Sequence, residues 1–313
     1  MTDDPQARAR LTRSAALASI TMALLLLGMK VWAVLQTDST AMLGSLADTA
    51  LDLVASVATL IGVWIAAQPA DREHRFGHGK AEALAAMFQV VLISLSAFGL
   101  AFRAIEQLLG GHRVAGASEG ILVSLIAIAG TFVLLWWQRQ VIRRTGSLAI
   151  KTDNVHYKSD LFLNLGVIAA LALDHYLGIG GADPLFGLAI ALWLAWGGWR
   201  ASSEALDHLM DKEWPAEKRE QFLAVLAKHP ELKGVHDLRT RTSGAHDFVQ
   251  FHAMVKGDMT VAEAHRVMDE LEERIEGEFP GVEVLIHPDP EGLLNETGAA
   301  AEELLPGLVE EPR

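Results

Sequence analysis

The sequence predicts a membrane protein in two parts: an all-α domain of six transmembrane helices, then a small α+β domain whose elements run αββαβ. Three observations carry this. Hydrophobic residues make up 51% of the 313-residue chain and gather into long runs over its first two thirds, which marks the membrane class. Six of these runs are long enough for the roughly 20 apolar residues that a span requires. From Asp211 onward they give way to alternating charged and apolar residues broken by turn signals, as in a small water-exposed domain.

The N-terminal segment 1–13, "MTDDPQARARLTR", is acidic and then basic. The apolar stretch behind it is too long, and too poor in cleavage signals, for a removable leader. Spans are expected at about 14–36, 41–67, 82–109, 115–142, 150–177 and 183–209, so the membrane domain covers 14–209. Basic residues orient these spans. Arg8, Arg10 and Arg13 precede the first, Arg72, Arg75 and Lys80 follow the second, and Arg139, Arg143, Arg144 and Lys151 follow the fourth. The opposite loops hold little beyond Arg103 and Arg113, so both termini are expected in the cytoplasm. Lys30, inside the first span, is expected to snorkel toward its outer end.

The second part covers 210–290. "PAEKREQFLAVLAKH" has helical spacing with proline at its start. "GVHDLRTRTSG" and "HDFVQFHAMVKGD" are strands joined by a turn containing Ser243 and Gly244. "TVAEAHRVMDELEERIEGEF" is a helix opened by a threonine cap with Glu263 three residues on, and "VEVLIHPDP" is a strand ended by proline. Helices on one face of a three-stranded sheet suit this order. The segment 291–313, rich in Gly, Ala, Glu and Pro, is expected to be a disordered tail.

A net charge of −13 disfavours nucleic acid, which requires a basic footprint. The chain has no cysteine. That excludes disulfides, thiolate sites and cysteine nucleophiles, and leaves imidazole and carboxylate to hold any borderline metal.

Such groups occur inside the spans. "SLADTALDLVAS" places Asp48 and Asp52 in the second span, although each ionisable residue at bilayer depth costs about 2.5–3.5 kcal/mol on insertion scales. Four residues turn a helix by about 400 degrees, so the two carboxylates share a face about 6 Å apart along the axis. Two acids this close repel unless a cation or proton lies between them. The fifth span, in "DNVHYKSDLFLNLG", repeats the separation with His156 and Asp160. One pair alone fits hydrogen bonding between helices, or a water-lined vestibule, as well as it fits a cation. Two matched pairs favour a metal, and three carboxylates with one imidazole suit four-coordinate Zn2+. Calcium would want more oxygens.

These residues and their surroundings resemble the cation diffusion facilitator family, in particular its bacterial YiiP-type zinc/proton antiporters. The resemblance covers about residues 10–290. It rests on "SLADTALD" and "HYKSD" in the spans, "QPADREHRFGHGKAE" between the second and third, and "HDLRTR" and "IHPDP" in the soluble part. It implies a homodimer with metallochaperone-like cytoplasmic domains, and a transport site of Asp48, Asp52, His156 and Asp160. It further implies a loop metal site at Asp71, His74 and His78, a binuclear zinc cluster of His236, His252, His265, His287 and Asp289, and a Lys80–Asp211 ion-pair interlock where the two domains meet in the dimer. On spacing alone the loop histidines would read as solvated side chains. Lys80 and Asp211 would likewise read as surface charges of little energetic weight.

Strand alternation adds that His252 and His287 lie opposite the apolar faces of their strands. His229 and His246 match no family position and are expected at the surface, and His112, His175 and His208 are read in the same way. The expected activity is efflux of a divalent cation, Zn2+ foremost, in exchange for protons by alternating access. Cd2+, Fe2+ and Co2+ accept similar ligands. The rival reading is a membrane metal sensor or scaffold, but only a carrier needs liganding groups at bilayer depth. An enzyme is disfavoured, because no HExxH, nucleophile-triad or phosphate-cradling pattern occurs in a fitting context.

Overall fold

A computed structural model describes residues 5–37, 40–110, 121–177 and 182–291. His112 and the tail from 292 lie outside the described residues, as do the side chains of Asp48 and His175 within their helices. The chain divides into two compact units, Met1–Leu209 and Met210–Arg313.

The first unit is six helices: α1 (Pro5–Thr37), α2 (Thr40–Ala66), α3 (Ala81–Gly110), α4 (Ile121–Thr145), α5 (Leu148–Leu177) and α6 (Ala182–Leu209). All six expected spans are helical over their described residues, the start of the fourth, 115–120, lying outside them. α1 begins well before its apolar run, because the charged stretch "QARAR" is itself built of strong helix formers. Even the shortest helix, α4 with 25 residues, is about 37 Å long, against a hydrocarbon core of about 30 Å. Among the described residues, Gln6–Trp32, Thr49–Ala66 and Ala81–Leu109 are long and apolar enough by themselves to cross a membrane.

Lipid tails give apolar helices no reason to associate, so close packing through small side chains must hold them together. Accordingly Ala15, Ala16, Ala85 and Ala149 are buried in one cluster with Val63, Val141 and Ile150. At Gly62 an added Cβ would overlap the Cβ of Ala85, so α2 and α3 meet there only because glycine has no side chain. Bulky apolar groups face outward instead, with Phe98 73% and Trp199 77% exposed, as a lipid-facing surface requires. At the start of α5 the Glu82 carboxylate of α3 accepts from Ser147 Oγ (2.8 Å) and from the Leu148 amide (3.0 Å). It thereby satisfies an end-of-helix donor and places negative charge where the helix dipole favours it.

Lys30 departs from the snorkelling expectation. Its ammonium is half-buried and donates to Thr49 Oγ1 of α2 at 2.5 Å, since a cation within a span is stabilised by a polar partner inside the bundle.

The second unit runs α7 (Ala216–Leu226), β1 (Gly234–Ser243), β2 (His246–Val255), α8 (Val261–Glu278) and β3 (Val282–Pro290). β1 and β2 form an antiparallel hairpin, and β3 returns parallel to β2 after α8, the kind of crossover a parallel pair needs. One sheet face packs Val235, Val249, Phe251 and Ala253 against Phe222 and Leu226 of α7 and Val267, Leu271 and Ile275 of α8. α8 opens with a capping box: Thr260 Oγ1 accepts from the Glu263 amide (3.3 Å), and the Glu263 carboxylate accepts from the Thr260 amide (2.8 Å). Thr260→Ala is therefore expected to destabilise α8 by about 1 kcal/mol, read as several-fold faster amide hydrogen exchange in its first turns.

His229 corrects its surface assignment. It is 3% exposed, with Nε2 3.2 Å from Glu270 and Nδ1 accepting the Glu231 amide at 3.3 Å. It sits in the turn after α7, where neither helical nor strand periodicity tells inside from outside.

Candidate metal centres

Among the described residues, three groups of side chains converge well enough to hold an ion. The first lies within the helices. Asp52 of α2 and His156 and Asp160 of α5 bring ligand atoms within 4.8 Å of one another. His156 Nε2 is 2.9 Å from Asp52 Oδ1 and 3.6 Å from Asp160 Oδ2. Ligands bound at about 2.1 Å around a tetrahedral zinc sit about 3.4 Å apart, so these separations suit such an ion. The His156 side chain is 7% exposed, while Asp52 and Asp160 are 22% and 31% exposed. The imidazole is thus the sealed side of the group and the carboxylates the open side. Asp48 occupies α2 one turn before Asp52.

Behind this group is a polar network that the sequence does not announce. Asp153, wholly buried, accepts hydrogen bonds from Ser19 Oγ of α1 (2.6 Å), Gln89 Nε2 of α3 (2.8 Å) and Gln138 Nε2 of α4 (2.7 Å). Tyr157 donates to the Ser19 carbonyl at 2.9 Å and meets Ser56 Oγ of α2 at 3.1 Å. Five helices are tied together one turn from His156. The one signal available in the sequence is position: Asp153 precedes Asp160 by seven residues, nearly two helical turns, and so lies on the same face.

The second group lies in the loop between α2 and α3. Asp71 Oδ1 accepts the amides of Glu73 (2.9 Å) and His74 (2.6 Å), an Asx-type turn. Gly77, at φ 76, continues the reversal that returns His78 toward Asp71. His78 Nε2 and His74 Nδ1 lie 3.3 and 3.4 Å from the Asp71 carboxylate. The His74 amide holds the exposed Asp71 carboxyl below its usual range against an opposing desolvation, helped by the Glu73 amide and by the charges of the two imidazoles. The acid is ready as an anion.

The third group, His236, His252 and Asp289, is on the sheet face opposite the apolar core, with His287 beside it. His236, His252 and His287 are direct cross-strand partners on β1, β2 and β3. Their rings stand 4.8 and 4.7 Å apart, the spacing between neighbouring strands. Asp289, two residues along β3 on the same face, meets all three: 2.7 Å to His252 Nδ1, 3.2 Å to His236 Nε2 and 3.3 Å to His287 Nε2. His236 is 4% exposed, and neither of its ring nitrogens makes an aligned hydrogen bond. A buried, unsatisfied imidazole beside a carboxylate is what a metal ion would satisfy.

Asp237, to which no spacing or pattern points, sits at φ 50 in a β-bulge between His236 and Arg239. Aspartate tolerates that conformation better than most residues, and the bulge brings its carboxylate 3.9 Å from His252 Nε2. His265 is not gathered with these residues; it is exposed on α8, 3.8 Å from Asp269. Lys80 donates to the Leu209 carbonyl at 3.2 Å within the first unit. Asp211, at φ 55, lies 3.7 Å from Arg241 within the second.

A bundle of membrane-length helices with a carboxylate–imidazole cluster in its interior, followed by a small α+β unit bearing another such cluster, defines a membrane protein that handles cations. Comparison with known proteins specifies which kind. Residues 16–210 match the cation efflux transmembrane domain and 214–291 the cytoplasmic domain of cation efflux proteins. The chain belongs to the cation efflux family. It is 39% identical over 289 residues to the cation-efflux pump FieF of Klebsiella pneumoniae, covering 92% of this chain and 96% of that one. Its identity to the FieF of Cronobacter sakazakii is 40% over 281 residues, covering 90% and 93%. A solved structure of CzrB in a zinc form shares 43% identity over 26% of this chain and 94% of its own, with a TM-score of 0.25.

Proposed function

We propose that this protein exports a divalent metal ion, Zn2+ foremost, from the cytoplasm in exchange for protons by alternating access. The observation that carries the reading is the convergence of Asp52, His156 and Asp160 on one point inside the helical unit. We assign Asp48, one turn away on α2, as the fourth ligand. A metal displaces protons from such ligands, so metal uptake and proton release are linked at one place. The imidazole is the side chain whose ordinary titration lies nearest neutral pH. Facing a more acidic outer medium, the ligands take up protons and their hold on the ion weakens. An imidazole among carboxylates favours zinc over manganese, with Cd2+, Fe2+ and Co2+ as further cargo.

In this reading residues 14–209 form the membrane domain and 210–290 a cytoplasmic domain, with both termini inside. The chain works as a homodimer. Asp71, His74 and His78 form a loop site. His236, His252, His287 and Asp289 form a cytoplasmic cluster, which His265 joins where dimer pairing brings it in, and Lys80 and Asp211 interlock the domains.

The test is Zn2+ flux in proteoliposomes. With protons driven opposite to the metal, initial rates are expected to rise several-fold over those without a gradient, and a proton ionophore should remove the gain. Flux indifferent to the pH gradient would refute proton exchange while leaving metal transport standing.

A further inference from the structure

Asp153 is 0% exposed and is not among the proposed ligands. Its three hydrogen-bonding partners, Ser19, Gln89 and Gln138, come from α1, α3 and α4 and are all neutral. Among the described residues, His156, Tyr157 and Asp160 on α5 feel its charge, and Asp52 of α2 stands beyond them against His156. α6 contributes Glu204, already paired with Lys151 at 2.5 Å. Asp153 lies three residues before His156, about 4.5 Å along the axis, so a change in its charge is felt at the ligands without contact.

Gln89 supplies the second observation. Its side chain is 1% exposed, and its Oε1 is buried with no hydrogen-bond partner although Nε2 donates to Asp153 Oδ1. Buried acceptors are rarely left so. If Gln89 turns its amide over, Oε1 is presented to Asp153, where only an O–H can use it. One amide rotation therefore serves both forms of the acid: the carboxylate takes the N–H, and the carboxylic acid gives its proton to the carbonyl.

We infer that Asp153 is a proton-carrying group of the exchange, separate from the metal ligands: ionised it stabilises the bound dication, and protonated it weakens that hold. The step is the addition of a proton from water to one carboxylate oxygen. Because Asp153 is sealed between helices, the proton can reach it only when the helices part, as a change of access requires. The inference rests on the exporter reading above.

The test is the KM for Zn2+ of the full-length protein in proteoliposomes, measured across pH. For the wild type, KM falls as pH rises by a factor set by the number of protons displaced. Asp153→Asn keeps the shape and, after the Gln89 amide turns over, all three hydrogen bonds. It should raise KM about tenfold at the alkaline end, meet the wild type at the acid end, and flatten the fall of log KM with pH by about one half at its steepest, with kcat within a few-fold. A purely structural role would change kcat or yield and leave that slope alone. Gln138→Glu combined with Asp153→Asn moves the carboxyl across the same hydrogen bond and should restore the slope. A wild-type slope in Asp153→Asn, or no recovery in the double variant, overturns the inference. If the wild type carries no Zn2+, or Asp52→Ala carries it equally well, the exporter reading fails. If both behave as proposed and Asp153→Asn does not, this inference alone fails.

Discussion

Replacing Asp52 by alanine is expected to cut Zn2+ transport by about a hundredfold or more, to the background of empty liposomes. The magnitude follows from what Asp52 does in the cluster. It stands 2.9 Å from His156 Nε2, joins α2 to the α5 pair, and contributes charge as well as an electron pair. Loss of groups that merely support a metal ligand costs 10–100-fold in affinity, and loss of a ligand with its charge costs more. His156→Ala should do comparable harm. Asp71→Ala, in the loop, should leave most of the rate. The readout is initial Zn2+ flux per reconstituted protein, with folding checked by unchanged elution and helicity. Substantial transport by Asp52→Ala would remove the intramembrane cluster from the mechanism.

The contrast between this cluster and the one on the sheet shows what a sequence can disclose. A helix has a fixed period, so the four-residue separations of Asp48 to Asp52 and His156 to Asp160 announce shared faces by spacing alone. The six helices are legible in a similar way, from the length of apolar runs. A strand's period tells only which face a residue occupies. That His236, His252 and His287 stand opposite one another depends on the register of two strand pairs, which turn geometry and a bulge decide over long sequence separations. The bulge at Asp237 leaves no readable mark, because "HDLRTR" alternates like any strand. Resemblance to a family suggests His236, His252, His265, His287 and Asp289, whereas the single chain gathers all of these but His265, and that geometry emerges only in the fold. Asp153 escapes notice for a different reason. In "KTDNVHYKSD" it sits among other polar residues near the helix start, where solvent is the ordinary expectation, and only the packing of α1, α3 and α4 around it makes it an interior group.

Zinc at the sheet cluster is expected to slow amide hydrogen exchange in β1, β2 and β3 of the full-length protein by about a hundredfold when the free ion stands at 100 times its Kd, because binding only the folded form adds about 2.7 kcal/mol there. The site is prepared for this. His236 is buried with two unsatisfied nitrogens, and Asp289 gathers three imidazoles from three adjacent strands, so a bound ion would tie together strands that separate on unfolding. The same three ligands cannot converge in a disordered chain, which makes metal binding a term in folding stability. His236→Ala should abolish the zinc-induced protection while relieving an unsatisfied buried group, and His265→Ala, outside the cluster in a single chain, should reduce it less. Protection confined to the outer strand β3 would mean that zinc sits on exposed His287 alone. Full protection with His236 replaced would place the ion elsewhere. If the ion also binds the paired form of two such units more tightly than the separated form, the same affinity difference biases the carrier toward its paired state, and cytoplasmic zinc then governs its own export.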